Sequence, residues 1–375
     1  MAPAIAAAAP RIEAESRLPA PLLETLHAAR LFRALLPREL DGDECRPSAF
    51  VEMMEVLAGA DASTAWCIGQ SSGCSMIAAS LAPDVARAIW GPCDAALAWG
   101  AGPQGVARRV VGGYRVRGTW NFASGSRHAT WLGGHCRVQE EDGAWREGAG
   151  GAPAERTMLF PRAAAAVEEN WQVMGLRGTG SDSYAVTDLF VPDAYTVCRD
   201  DPAELRHDGL LYRFTTTHLY AAGFGAVAMG IARATLDALR ALAAEKTPAS
   251  TTRTLRDNPV VQTQVALAEA KLGAARAFLL DTLRQCEAAL ESGAALTLDQ
   301  RARIRMAATF ATHQAREVVD MAYHEAGATA IFNANPFERR FRDMHTVCQQ
   351  VQARSAHFET VGRHLLGLPA ELRWL

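Results

Sequence analysis

Two short segments of this chain concentrate aromatic rings, hydroxyls and sharp glycine turns: residues 118–131 (GTWNFASGSRHATW) and 171–181 (WQVMGLRGTGS). In the first, Trp120, Phe122 and Ser124 alternate, and the two-residue period of a strand puts all three on one face. An aromatic platform ending in a hydroxyl suits a flat, partly polar ring system such as a flavin: the rings stack on its face and Ser124 donates to its N5/O4 edge. Ser126 and His128 follow closely, and the plain alternative is an amphipathic strand with a polar turn. In the second segment, Arg177, Thr179 and Ser181 stand in a glycine-rich turn. Backbone N–H groups and hydroxyls there suit the polar edge of a cofactor, and the plain alternative is a hairpin turn.

Other candidates carry less. Arg253 and Arg256, just ahead of a long helical pattern, either meet a phosphate or are solvated. His345 sits one turn before Gln349, as a proton carrier or a structural histidine. Residues 100–105 (GAGPQG) spell the dinucleotide-binding fingerprint. That motif needs a helix directly after the glycine turn to receive the pyrophosphate, and a strand-like run follows here, so a β-turn lining a pocket is expected. The eight cysteines form no CxxC pair and no Cys/His ligand spacing, which argues against a zinc site or a disulfide framework and fits a reducing cytoplasm.

With 375 residues, 49% of them hydrophobic, the chain can bury a large core. Its formal charge is −3 and its arginines are scattered, Arg339 to Arg342 being the densest group; this is no nucleic-acid stripe. The opening MAPAIAAAAP lacks a basic leader, and the apolar run from Leu219 to Ala232 carries three glycines and stops at Arg233. No membrane association is expected.

The elements that must position these residues change character along the chain. Residues 16–91 read as helices, including 47–60 and 64–81, with Asp61 and Pro83 as punctuation. From Cys93 to about Ala203, alternation at 113–122 and 183–191 signals strands, and the polar stretch 139–154 reads as a loop between them. Beyond Asp208, apolar residues from Val261 to Leu290 step by three and four after an Asn258-Pro259 start, and Thr297 to Gln300 begins another helix that ends near Gly327. Such helices need partners, so an oligomeric bundle is expected. The expected class is α+β, mostly α, with a helical domain over 1–95, a β domain over 96–205 and a helical bundle over 206–375.

With those residues in hand, the chain resembles the acyl-CoA dehydrogenase superfamily, and within it the flavin-dependent monooxygenases that hydroxylate aromatic compounds such as 4-hydroxyphenylacetate and steroid-ring phenols. The likeness is carried by Asp61 to Trp66, Gly118 to Gly125 with His128, Gly175 to Ser181, Leu189 to Pro192, Arg342-Asp343, and Phe358 to Gly367. It implies a tetramer with flavin in a cleft between the β domain and the bundle. Trp66, Trp120, Phe122, Ser124, Arg177, Thr179, Ser181 and Arg253 would then contact the cofactor, and Ser124, His128, His345 and Gln350 would serve the chemistry.

A dehydrogenase of this superfamily needs a carboxylate base beside the flavin, yet residues 344–358 and 214–235 contain no Asp or Glu. The monooxygenase branch places a His seven residues after the Asp of its Arg-Asp pair; this chain has Gln350 there, which hydrogen-bonds but does not titrate. The resemblance therefore implies the oxygenase component of a two-component monooxygenase. Reduced flavin (FMNH2 or FADH2) comes from a separate NAD(P)H:flavin reductase, and O2 adds to it as a C4a-hydroperoxide that oxidises a small, aromatic substrate. An FAD-dependent acyl-CoA dehydrogenase and a flavin-less tetrameric scaffold are the alternatives.

Overall fold

A computed structural model describes residues 1–148, 151–249 and 251–375. Helices α1 (Ala2–Glu15), α2 (Ala20–Ala28), α3 (Pro47–Ala60), α4 (Ala62–Ser75) and α5 (Pro83–Trp90) come first. Strands β1 (Leu97–Trp99), β2 (Gly105–Val110), β3 (Gly113–Ala123), β4 (Trp131–Gln139), β5 (Glu155–Pro161), β6 (Ala166–Glu168), β7 (Asp182–Pro192) and β8 (Thr196–Val197) follow. Helices α6 (Thr216–Glu245), α7 (Pro259–Glu291), α8 (Leu298–Ala326), α9 (Pro336–Val347) and α10 (Ala356–Leu365) complete the chain. The class is α+β, mostly α, as expected. The helical run expected to Leu81 is α4 followed by a 3-10 turn over Met76–Ser80.

Local chemistry sets these boundaries. Asp61 begins α4 by accepting the Thr64 N–H at 2.7 Å, Asn258 begins α7 by accepting the Val260 N–H at 2.9 Å, and Thr297 and Gln300 form a reciprocal capping box on α8. Helix α6 is long and apolar enough by composition to cross a membrane, but 89% of that window is buried inside the molecule. It is a core helix whose small residues let neighbours approach. A Cβ at Gly230 would lie 2.2 Å from the Glu55 carbonyl oxygen, so only glycine allows α3 this close to α6.

The sheet runs β6-β7-β3-β2-β4-β5-β8, with β1 added in parallel to β4. The turn at 100–105 joins β1 to β2 with no helix after it, which removes the dinucleotide reading. Within the stretch 139–154, Gln139 bridges Trp145 and Glu147 bridges Pro153; residues 149 and 150 lie outside the described residues. Two large cores result. One is built from the early helices and the late bundle together, with Phe50, Met54, Phe224 and Leu279 among its members. The other lies within the strands around Trp120, Phe160 and Tyr184.

Candidate active site

The end of β3 departs from simple alternation, and the departure decides what the site can hold. The β3–β7 register shifts between Trp120 and Ala123, and Phe122 adopts φ +65°. This is a bulge, which re-aims the side chains after it. Trp120, the last regularly paired residue before it, stays on the inward side of the strand: it is 0% exposed, its indole N–H donates to the His135 carbonyl at 2.9 Å, and its ring stacks on Tyr184. Phe122 turns outward, 61% exposed, with its ring edge-on to Trp171 at 6.1 Å. The expected platform of Trp120, Phe122 and Ser124 on one face is corrected accordingly. Trp120 is a core residue of the strand layer, and Phe122 alone offers a face.

Ser124, in the turn after β3, is buried. Its hydroxyl accepts the Trp66 indole N–H at 3.0 Å and lies 2.7 Å from the Ser181 hydroxyl. Ser181 lies 2.7 Å from the Thr179 hydroxyl, which donates to the Leu176 carbonyl at 2.8 Å. Four residues singled out in the sequence thus form one hydrogen-bonded chain across three segments: α4, the end of β3, and the 176–181 turn. Beyond Trp66 the row continues into the bundle, because its indole stacks on Phe224 of α6 at 3.9 Å and Phe224 stacks on Tyr220.

Buried charge fixes the two turns. Arg127 is bidentate to Asp182 at 2.7 and 3.0 Å, and the same carboxylate accepts the Trp171 N–H. The opposite side is clamped by α9: Asp343 accepts the Leu176 N–H at 2.6 Å, and Arg342 donates to the Met174 carbonyl. A Cβ at Gly175 would sit 2.2 Å from the Arg342 carbonyl oxygen, so this contact also requires glycine. Burial pushes the Asp343 carboxyl up to about 7, against the lowering effect of its Leu176 bond. Asp61 is also raised by burial, while its oxygen accepts from the Thr64 amide and hydroxyl.

The remaining candidates disperse. His128 packs beside Phe32 at 5.6 Å, and burial pushes its pKa down to about 4, so it is neutral at pH 7 and has no bond to the hydroxyl chain. Arg177 is exposed and donates to the Val173 carbonyl at 2.9 Å. His345 faces α8, paired with Asp320 at 2.8 Å, because residues two apart on a helix point about 200° apart and Asp343 takes the side toward the turn. Gln350 lies past the end of α9 and caps a short turn, accepting the Gln352 N–H at 2.6 Å. Arg253 is exposed in the α6–α7 connection. Sequence reasoning missed Phe224, Tyr220 and the Arg127–Asp182 pair; only the stepped aromatics of α6 offered a signal.

These side chains fit a flavin. The exposed Phe122 ring and the half-buried Trp171 offer aromatic surface at the end of the strand that leads to Ser124, and exposed apolar surface marks binding sites. Residues 222–354 match the acyl-CoA dehydrogenase C-terminal domain family. The indole-3-acetate monooxygenase of Pseudomonas putida is 30% identical over 346 residues, covering 92% of this chain and 86% of that protein. The chain belongs to the flavin-dependent monooxygenases of the acyl-CoA dehydrogenase superfamily. The oxygenase component of an FADH2-dependent resorcinol hydroxylase from Rhizobium sp. is 27% identical over 374 residues, 95% of this chain and 90% of that protein. In three dimensions the enzyme is similar to the crystal structure of 3-HSA hydroxylase from Rhodococcus sp. RHA1: the TM-score is 0.90 at 25% identity, covering 100% of this chain and 97% of that one.

Proposed function

We propose that this chain is the oxygenase component of a two-component flavin monooxygenase that oxidises a small aromatic substrate. Reduced flavin arrives from a separate NAD(P)H-dependent reductase. When bound, it supplies the two electrons that let one atom of O2 enter the substrate while the other leaves as water.

One observation carries the reading: the buried chain from Trp66 through Ser124 and Ser181 to Thr179, beside the exposed Phe122 face. Phe122 and Trp171 would wall the ring system and Ser124 would meet its polar edge, with Thr179 and Ser181 holding that hydroxyl in place. Arg177, at the same turn, would approach the cofactor with its backbone, since its guanidinium is engaged by the Val173 carbonyl and Glu13. Trp66, Phe224 and Tyr220 form a buried aromatic row between α4 and α6 that would keep water from the hydroxyl chain.

Among the described residues no carboxylate bonds to the hydroxyl chain, and the buried carboxylates of Asp61 and Asp343 are taken up by backbone amides. This supports oxygenation over abstraction of a proton α to a thioester, which needs a free base. Exposed Val260 and Leu267 on α7 and Leu365 and Leu366 at the end of α10 support burial in a homotetramer. Arg253, whose side chain makes no hydrogen bond among the described residues, is available to a cofactor phosphate there.

The test is incubation of enzyme, chemically reduced FMN or FAD, labelled O2 and a panel of phenols and indoles. Label in the product supports the proposal. Tight oxidised FAD in the purified protein, bleached by an acyl-CoA, would replace it with the dehydrogenase reading.

A further inference from the structure

A cavity of about 390 Å³ opens where the 3-10 turn after α4, the segment that follows β8, the entry to α6 and the α7–α8 connection meet. None of its lining residues belongs to the hydroxyl chain. Its walls are largely apolar, with Met76, Ile77, Val197, Leu205, Phe214 and Leu296 among them, and its volume lies in the range of small-molecule sites, about 300–1,000 Å³.

One cation in this cavity is uncommitted. The Arg199 side chain is 28% exposed, and its Nε lies 3.8 Å from the nearer Asp200 oxygen, beyond hydrogen-bonding distance. Among the described residues its guanidinium donates no hydrogen bond, although it carries five N–H groups in a planar fork. The group faces inward. Its Cζ stands 5.9 Å from the centre of the Trp99 ring, and burial first, then the Arg199 charge, holds the pKa of His135 well below its ordinary value.

The other charged groups there are already engaged. Asp200 accepts the Thr216 N–H at 2.7 Å on one oxygen and the Thr216 hydroxyl at 2.8 Å on the other, so its charge is spent on the start of α6. Asp201 accepts the Ala203 N–H at 2.9 Å, and Arg213 donates to the Leu290 carbonyl at 3.3 Å. Two acidic side chains beside one free cation disfavour a multiply charged anion such as phosphate, and apolar walls disfavour a small hydrated one. A single carboxylate on an apolar body meets both conditions: its two oxygens match the guanidinium fork, and its body is buried against the walls.

We propose that this cavity binds a small apolar monocarboxylate, its charge on Arg199 and its body among the apolar walls. The site also has a route to the chemistry. Thr216 of the cavity, Tyr220 and Phe224 step by four along one side of α6, and Phe224 stacks on Trp66, which bonds Ser124. The cavity therefore stands at the far end of the aromatic row from Ser124, open to the carboxylate of a substrate or to a second molecule.

The test is calorimetric titration of the flavin-free chain with phenylacetate, phenylacetamide and acetate, in wild type, Arg199→Gln, Leu205→Trp and Arg206→Gln. Arg206 is on the same segment but bonds the Ser80 carbonyl and does not line the cavity. Wild type is expected to bind phenylacetate at least about tenfold more tightly than the amide, which keeps the ring without the charge, or acetate, which keeps the charge without the ring. Arg199→Gln is expected to abolish that preference and Arg206→Gln to retain it. Leu205→Trp fills the cavity from a half-buried position with Arg199 in place, and is expected to weaken phenylacetate as well. Equal affinity for acid and amide in wild type, or phenylacetate affinity unchanged in Arg199→Gln or Leu205→Trp shown by thermal melts to be folded, overturns the proposal. Turnover with reduced flavin separates the two sources. A KM for a carboxylated aromatic that rises in Arg199→Gln at constant kcat marks the substrate's own carboxylate; a rate that responds to an acid not itself oxidised marks a second molecule. The binding measurement uses no flavin, so its outcome is independent of the flavin reading above.

Discussion

The carboxylate of Asp343, on α9, accepts a hydrogen bond of 2.6 Å from the backbone N–H of Leu176, a residue held at φ +51°. Through this contact the C-terminal helices set the conformation of the turn that carries Thr179 and Ser181. Asp343 is 3% exposed, so the bond is made out of water.

Replacing Asp343 separates its bond from its charge. Asp343→Ala leaves the Leu176 amide buried without an acceptor and should cost about 1–3 kcal/mol, whereas Asp343→Asn keeps an acceptor oxygen. Because burial raises the folded-state pKa to about 7 from the ordinary carboxylate value, the folded protein holds this proton more tightly than the unfolded chain does. Its contribution to stability is therefore full in acid and is lost as pH rises through about 7. Urea denaturation between pH 5 and 8 should show that decline in the wild type and a shallower one in Asp343→Asn.

Trp120 and Phe122, neighbours in one motif, should behave oppositely. Trp120→Ala empties a core position and should destabilise the fold by about 3–5 kcal/mol. Phe122→Ala, at a site 61% exposed, should change stability by no more than about 0.5 kcal/mol yet weaken reduced-flavin binding severalfold. Thermal melts and anaerobic titrations read the two effects separately.

How much of the fold and site was legible in the sequence follows from the same pair. The helices from Pro47, Pro259 and Thr297 were readable because capping residues and apolar spacing act locally. The strands at Gly113 and Ser183 were readable from alternation. The bulge was not: nothing between Trp120 and Ser124 marks the residue at which pairing slips, since the shift is set by how β3 lies on β7. The hydroxyl cluster was readable as a composition, but the turn that carries Thr179 and Ser181 is held in place by Asp343 of α9, from far along the chain. Histidines misled for a related reason. His128 and His345 look like proton carriers in sequence, but burial and a partner on α8 decide their roles.

The Arg127–Asp182 pair, with side chains 9% and 0% exposed, should be costly to break from one side. Asp182→Ala leaves the buried Arg127 guanidinium with only the longer Glu169 contact at 3.5 Å and removes the acceptor for Trp171, so a loss of about 3 kcal/mol is expected. An apolar double replacement such as Arg127→Met with Asp182→Leu should recover much of it, as measured by chemical denaturation.

His345→Gln should leave flavin affinity and turnover near wild type, because its half-buried pair with Asp320 joins α9 to α8 away from the hydroxyl row. His128→Asn should likewise add or remove no ionisation in the turnover profile between pH 6 and 8, since burial holds the wild-type imidazole neutral there, with a pKa of about 4. A wild-type inflection in that range that vanished in either variant would reassign the residue.

The most direct measurement is oxygen tracing in a single turnover: enzyme loaded anaerobically with reduced flavin is mixed with labelled O2 and an aromatic substrate, and the product is weighed by mass spectrometry. The account predicts one labelled oxygen atom per product molecule, and a sharp loss of labelled product in Ser124→Ala. Flavin reoxidised with every equivalent recovered as hydrogen peroxide across the whole substrate panel, or flavin reduced by an acyl thioester instead, would contradict it.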